Sequence, residues 1–202
     1  AELYFRNQIL DAATGQVHIA GSGDWSHIEG GPVAVDILDD SECADCAGLE
    51  LVAGGQIYSV GLNAPGSIDG GTLTLVREFN NIPGLDADDE WHTKFLDLDN
   101  DEFVNSQTSI ADYDLDGYLD VLMTGTSDGG RTTIFYWNVR LNQGTVYRPS
   151  NNWQYGAGRL NLADLDGDGQ MNAAFVSGSY LYALDENLNF MWRIGIDEET
   201  SG

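Results

Sequence analysis

A nine-residue pattern of alternating aspartates occurs twice in the chain, and each copy leads straight into an apolar stretch. In the first copy, Asp112, Asp114, Asp116 and Asp120 occupy positions 1, 3, 5 and 9, and Gly117 stands at position 6. Alternate residues of a tight loop turn their carboxylates towards one point, and the glycine permits the bend that closes the loop. Hard oxygen ligands at this density suit Ca²⁺, which accepts about six to eight oxygens. The pattern therefore predicts a calcium loop between two strands.

The second copy repeats this spacing, and neither copy is expected to be an EF-hand. An EF-hand has a helix on each side and a glutamate at position 12, whereas Met123 stands at position 12 of the first copy. An aspartate-rich turn exposed to solvent is the simpler interpretation, but two copies with equal spacing and apolar flanks argue against it. Gly169 is at position 6 of the second copy, and its other key positions are Asp164, Asp166, Asp168 and Asn172.

The order of elements repeats as strand, Asp loop, strand, glycine, strand, turn, strand. Four short antiparallel strands in each repeat are typical of a propeller blade, so we expect an all-β fold. Residues 3–6 and 16–20 are predicted as two strands around a turn at residues 11–15. The whole chain is interpreted as one β-propeller segment of about three and a half blades, too few to close a ring. The predicted blade units are residues 1–23 (partial), 30–96, 106–149 and 156–200.

Two weaker acidic stretches accompany the regular loops. The loop from Asp36 to Glu50 is longer and has no glycine at position 6, so it is only a possible third calcium site, with Asp36, Asp39, Asp40 and Glu50 as ligands. Residues 97–105 mimic the spacing but also lack the glycine. Cys43 and Cys46 lie inside the longer loop, and two cysteines do not complete a structural zinc site. A local disulfide is favoured, free thiols come next, and a redox-active pair is least favoured because no helix pattern follows.

The charge balance excludes whole classes of partner. The chain has 33 acidic and 8 basic residues, which gives a net charge of −25. No basic patch can form to neutralise phosphates, so nucleic acid and anionic membranes are not expected partners. No apolar run is long enough to span a membrane. The first residues do not resemble a signal peptide, which favours a mature or excised segment. Weak Asp loops fill at millimolar calcium, and this predicts a location outside the cytosol.

At both regular loops the sequence resembles the FG-GAP/VCBS repeats of integrin α-subunit-like β-propellers. The likeness includes the alanine before each loop and the glycine that closes the following strand, Gly125 or Gly178, and it covers about residues 30–202. It implies one Ca²⁺ per loop, held by side chains at positions 1, 3, 5 and 9 and by the carbonyl at position 7. The implied ligands are Asp112, Asp114, Asp116, Tyr118 and Asp120, then Asp164, Asp166, Asp168, Gln170 and Asn172.

These patterns predict a non-catalytic, calcium-stabilised propeller at the cell surface or outside the cell, used for binding, adhesion or assembly. Expected partners are a protein or carbohydrate, or further copies or blades. No zinc-protease, nucleophile-elbow or P-loop motif occurs, and tryptophans are expected in blade cores rather than against sugars. Two alternatives stay open. Calcium propellers of similar sequence occur in polysaccharide lyases. In the first alternative the chain is part of such an enzyme, and residues 64–105 line a sugar cleft. In the second alternative, the chain is a structural subunit of a surface fibre, in which open blade edges join neighbouring chains.

Overall fold

Short apolar runs separated by turns produce an all-β architecture. The computed structural model describes residues 2–5, 8–20, 31–43, 46–61, 71–79, 104–127, 131–147 and 158–196. Within these residues there are fifteen strands in four antiparallel sheets, and neighbours in each sheet follow one another in sequence. The described residues include no helix that is long and apolar enough to cross a membrane. The predicted fold class is confirmed.

The first sheet has three strands, one more than the sequence predicts. They are β1 (Glu2–Phe5), β2 (Gln8–Asp11) and β3 (Val17–Ala20). Strands were expected at residues 3–6 and 16–20, and β2 was missed. It is only four residues long, and neither glycine nor proline marks the reversal between β1 and β2. Pairing of Ile9 with both Tyr4 and Ile19 shows that β2 is the central strand of this sheet.

The other three sheets have the four-stranded plan of a blade. The second contains β4 (Val33–Val35), β5 (Glu50–Ala53), β6 (Gln56–Gly61) and β7 (Thr72–Glu78). The third contains β8 (Val104–Ala111), β9 (Asp120–Ser127), β10 (Arg131–Asn138) and β11 (Gln143–Tyr147). The fourth contains β12 (Asn161–Ala163), β13 (Asn172–Ser177), β14 (Tyr180–Leu184) and β15 (Phe190–Gly195). The third sheet begins two residues before the predicted unit 106–149.

Three apolar clusters join the sheets face to face in chain order. Side chains alternate between the two faces of a strand, so one strand serves two clusters. In β5, Leu51 belongs to the cluster shared with the first sheet, and Val52 to the cluster shared with the third. The cluster between the third and fourth sheets includes Leu122, Ile134 and Phe175. The first Asp loop is thus held at the end of two strands that are packed on both faces, and the second at the end of two strands that are packed on one.

The tryptophans divide between core and surface. Trp137 is fully buried between the second and third sheets, where its ring meets Phe79 edge-on at 5.6 Å and its Nε1 donates to Asn142 Oδ1 at 3.1 Å. Its predicted role in a blade core is confirmed. Trp192 is 39% exposed on the fourth sheet. The other three tryptophans, at 25, 91 and 153, lie outside the described residues.

Candidate metal centre

Each regular Asp loop joins the first two strands of a sheet and gathers three carboxylates. The first loop runs from β8 to β9, and the second from β12 to β13. In each loop the carboxylates at positions 1, 3 and 5 place one oxygen each within 4.8 Å of the others. No other group of three His, Cys, Asp or Glu side chains comes together in this way within the described ranges. The two groups are Asp112, Asp114 and Asp116, and Asp164, Asp166 and Asp168.

The two loops share one hydrogen-bond framework, although they lie in different sheets. The carboxylate at position 1 accepts the backbone N–H of position 6: Gly117 N lies 3.0 Å from Asp112 Oδ2, and Gly169 N lies 3.0 Å from Asp164 Oδ2. Two further bonds recur, from the N–H of position 5 to the carboxylate of position 3, and from that of position 7 to the carboxylate of position 5. They are Asp116 N to Asp114 (3.2 Å), Tyr118 N to Asp116 (2.9 Å), Asp168 N to Asp166 (3.4 Å) and Gln170 N to Asp168 (2.8 Å).

Backbone conformation explains the glycine at position 6. Gly117 has φ = 91° and Gly169 has φ = 89°, a region that a side chain with a Cβ rarely adopts. Position 4 is also left-handed in both loops, with Gly167 at 82° and Leu115 at 60°. A leucine in this conformation costs about 1–2 kcal/mol, so the first loop holds a strained residue beside its carboxylates. Nothing in the sequence marked Leu115, except that the second loop has glycine there.

The side chain at position 9 is buried and holds the start of each loop by a hydrogen bond. Asp120 and Asn172 are each 1% exposed. Asp120 Oδ2 accepts the N–H of Tyr113 at 2.9 Å, and Asn172 Oδ1 accepts the N–H of Leu165 at 2.7 Å. Asp120 does not belong to the group of three carboxylates in its loop, and Asn172 has an amide in place of a carboxylate. Their predicted role as direct ligands therefore stays a prediction, as does that of the carbonyls at position 7, whose residues are the exposed Tyr118 and Gln170.

The first loop has unbalanced negative charge. Burial raises the pKa of Asp120 to about 7; the charges of Asp114 and Asp116 add to this, and the N–H of Tyr113 opposes it. Asp112 Oδ1 is buried and has no hydrogen-bond partner among the described residues. A buried carboxylate oxygen with no donor, next to further carboxylates, is costly unless a cation joins it. The oxygen-only donor set fits a hard cation such as Ca²⁺.

A neighbouring strand orients the first loop but not the second. Asp114 Oδ2 accepts Tyr136 Oη–H at 3.0 Å and Asn138 Nδ2–H at 2.8 Å, both from β10. By strand register, the corresponding residues of the fourth sheet are Ala183 and Asp185, whose side chains have no donor to offer when Asp185 is ionised. These two donors were not predicted from the sequence. Their spacing of two residues on a strand that follows the loop was the available signal.

The longer loop of the second sheet has the buried hydrogen-bond acceptor of the regular loops but not their group of three carboxylates. Glu50 is fully buried, and its Oε2 accepts the N–H groups of Ile37 at 2.9 Å and Leu38 at 3.1 Å. Glu50 thus occupies the place of Asp120, and Asp36 the place of Asp112. Position 3 is then Leu38, which is buried in the cluster between the second and third sheets. An apolar side chain points inwards where the regular loops have a carboxylate.

The calcium site suggested for this loop is not assembled. The suggested ligands were Asp36, Asp39, Asp40 and Glu50, and no three of them bring their oxygens together. A Cys43–Cys46 disulfide closes the loop instead, as predicted. Glu42 adds an ion pair with Arg77 of β7. In the other acidic stretch, residues 97–103 lie outside the described residues. Residues 104 and 105 are the first two residues of β8.

Replacing Glu50 tests its bracing role. Burial, the largest cause, and the charge of Asp36 raise the pKa of Glu50. A raised folded-state pKa means that the wild type loses stability as pH rises above the ordinary value of 4.5. Glu50→Gln keeps an acceptor for the two N–H groups without this charge. In buffer freed of calcium beforehand, we expect its melting temperature to exceed that of the wild type at neutral pH, with the difference shrinking towards about pH 4.

Glu50→Ala is the matched control for this experiment. It removes the acceptor of two buried N–H groups, at about 1–3 kcal/mol for each group left unsatisfied, so it is expected to lower the melting temperature at every pH. Equal melting temperatures for the glutamine and alanine variants would contradict the bracing role.

Sheets of four sequential antiparallel strands, with an aspartate loop after the first strand, define a repeat protein with propeller-type blades. Residues 112–175, which contain both regular loops, match the family model described as FG-GAP-like repeat. The resemblance to FG-GAP repeats noted from the sequence is confirmed for these residues. No curated protein and no solved structure gives a match to the chain.

Proposed function

We propose that the chain is a calcium-stabilised, non-catalytic binding module that acts outside the cytosol. Its two regular loops hold one Ca²⁺ each, and the ions fix the ends of the third and fourth sheets. The bound ions supply positive charge and rigid coordination, and no chemical step is assigned to them. The rigid, acidic loop surface is then available to a protein or carbohydrate partner.

One observation carries the proposal: two loops build the same framework around three carboxylates. Shared hydrogen bonds orient Asp112 and Asp164 in the same way, from glycine N–H groups at equal distances of 3.0 Å. An aspartate-rich turn that only met solvent would have no need for this agreement, nor for a buried oxygen without a donor at Asp112. The FG-GAP-like match across both loops supports the same interpretation.

Two features support a location outside the cytosol. The Cys43–Cys46 disulfide persists in oxidising compartments, whereas cytosolic thiols are kept reduced. Calcium sites of extracellular modules work at roughly 10⁻⁴–10⁻³ M, a concentration that the cytosol does not provide. Most of residues 64–105, the suggested lining of a sugar cleft, lies outside the described residues. No observation on the described residues favours the enzymatic alternative.

Counting bound ions tests the proposal directly. Calcium titration by calorimetry of the chelator-treated protein is expected to give two ions per chain. Asp112→Ala and Asp164→Ala are each expected to leave one, because each removes the position-1 carboxylate of one loop. Asp36→Ala is the matched control: it changes position 1 of the longer loop and is expected to leave both ions. A count unaffected by Asp112→Ala and Asp164→Ala would overturn the assignment of the sites.

The binding role needs a separate readout. Labelled protein is expected to bind intact cells or extracellular polysaccharide with calcium present, and to release them in EDTA. The double variant Asp112→Ala/Asp164→Ala controls for effects of EDTA on the target surface. Cleavage of the polysaccharide by the wild type would refute the non-catalytic assignment and would favour the lyase alternative.

A further inference from the structure

Each internal contact between neighbouring sheets joins two different faces. We call the face of a sheet towards the next sheet along the chain its forward face, and the opposite one its backward face. In β9, Leu122 packs forwards on the fourth sheet, and Met123 packs backwards on the second. The clusters that join the first sheet to the second, and the second to the third, have the same arrangement. By this definition all three contacts pair a forward face with a backward face.

The forward face of the fourth sheet is apolar and exposed. Val176 is 42% exposed, Trp192 39% and Ile194 53%. Strand pairing places them on one face, because Val176 lies opposite Leu181, which lies opposite Ile194. In the third sheet, the position of Leu181 is taken by Ile134, which the fourth sheet buries completely. The fourth sheet thus repeats the apolar forward face of its predecessor without the cover.

The backward face of the first sheet is the opposite counterpart. Leu3 is 53% exposed and Phe5 is 51% exposed. These two residues alternate on β1, and Leu10 of β2 pairs with Leu3, so the three side chains share one face. Their strand neighbours Tyr4 and Ile9 face the other way and pack against the second sheet. Large apolar side chains exposed together on one face mark interaction sites on soluble proteins.

We infer that the forward face of the fourth sheet binds the backward face of the first sheet of a second copy of this chain. This contact continues the interface that already occurs three times within one copy. Both faces are exposed in a single copy, so the first sheet does not cover the fourth sheet of its own chain. The described residues of two copies form eight sheets together, twice the four described in one copy, and propellers have about four to eight blades. Two reciprocal contacts then close one ring.

This pairing is heterologous, which separates it from a symmetric contact between like faces. A pair formed through two fourth sheets would place a forward face on a forward face, which none of the three internal contacts does. The inference rests on the fold and not on the proposed calcium sites. Calcium is kept present throughout the mass measurement. The calcium sites are tested separately by the ion count, so a failure of one proposal does not decide the other.

The test measures particle mass by light scattering of the 202-residue chain, with calcium and at about 0.15 M salt to screen the net charge of −25. The expected mass is twice 21.9 kDa. Ile194→Glu on the forward face and Leu3→Glu on the backward face are each expected to halve it. Leu141→Glu is the matched control: Leu141 is 58% exposed in the turn after β10, away from both faces, and its variant is expected to keep the mass of two copies.

Mixing the two face variants distinguishes the heterologous pair from a pair of like faces. Ile194→Glu retains an intact first sheet and Leu3→Glu an intact fourth sheet, so one good contact forms between them. A tagged Ile194→Glu chain is expected to capture untagged Leu3→Glu, but not untagged Ile194→Glu. Circular dichroism and the melting curve of each variant show whether it is folded before its mass is interpreted.

Three results would overturn the inference. The first is a wild-type mass of 21.9 kDa at every concentration. The second is a pair that survives in one of the two face variants, because a contact between like faces needs only one face. The third is an assembly that grows with concentration, which means that the contact exists but does not close.

Discussion

The chain is expected to melt about 10–20 °C lower in EDTA than in saturating calcium. A ligand that binds only the folded state stabilises it by about 2.7 kcal/mol when present at a hundred times its dissociation constant. Two sites together contribute about 5 kcal/mol. For a chain of this size, each kcal/mol moves the melting temperature by about 2–4 °C. Calorimetric or circular-dichroism melts with calcium and with EDTA measure the difference.

The size of this effect follows from the crowding of carboxylates. In each loop three of them place oxygens within 4.8 Å of one another, and their mutual repulsion is unrelieved without a cation. The double variant Asp112→Ala/Asp164→Ala removes the position-1 carboxylates, and its melting temperature is expected not to respond to EDTA. Magnesium is expected to restore less of the lost stability than calcium, because it demands a smaller and more regular shell. An identical wild-type melt in both solutions would contradict the calcium sites.

The sequence predicts the repeated parts of this protein well because their signals are local. Spacing of aspartates around Gly117 and Gly169 depends on the conformation of nine residues, and the alternation of apolar side chains depends on a single strand. Both signals survive without knowledge of the tertiary structure. The strand plan of three sheets, the two carboxylate groups and the Cys43–Cys46 disulfide were therefore accessible.

The missed features depend on contacts between distant residues or on backbone strain. The donors Tyr136 and Asn138 reach Asp114 only because β10 pairs beside β9. Strand β2 is too short to be recognised without its partners on both sides. Leu115 adopts a conformation that its residue type disfavours, so no propensity rule predicts it.

The longer loop shows how a local signal misleads. Its aspartates suggested a third site, but alignment by residue count alone did not reveal that Glu50 occupies position 9. The two hydrogen bonds from Ile37 and Leu38 to Glu50 establish that correspondence, and they place an apolar residue at position 3. The insertion and its disulfide then hold the loop with covalent and apolar contacts.

Exchanging the residues at position 9 between the two regular loops is expected to exchange the loops' calcium affinities and their stabilities without calcium. The first loop has four carboxylates with Asp120, and the second has three with Asn172. Asp120→Asn removes a buried charge and retains an oxygen that accepts the N–H of Tyr113, as Asn172 does for Leu165. Without calcium, this variant is expected to be more stable than the wild type. With calcium, its first loop is expected to bind the ion more weakly, because one negative charge is lost.

The pH dependence gives this prediction its sign and size. The pKa of Asp120 rises from 3.8 to about 7 in the folded protein, so the wild type loses stability as pH increases through this interval. At about 1.4 kcal/mol per pKa unit, the full loss is up to about 4 kcal/mol, and Asp120→Asn is expected to recover most of it. In buffer freed of calcium beforehand, the melting temperatures of variant and wild type should coincide near pH 4 and separate towards pH 7.

Asn172→Asp is the reciprocal variant and the control. It gives the second loop a fourth carboxylate, so it is expected to lower the melting temperature in EDTA and to raise the calcium affinity of that loop. The exchange separates two explanations for any difference between the loops. If charge at position 9 decides affinity, the two variants change it in opposite directions by similar factors. If Asn172→Asp leaves the second loop weaker than the first, the donors Tyr136 and Asn138, which orient Asp114 alone, account for the remainder.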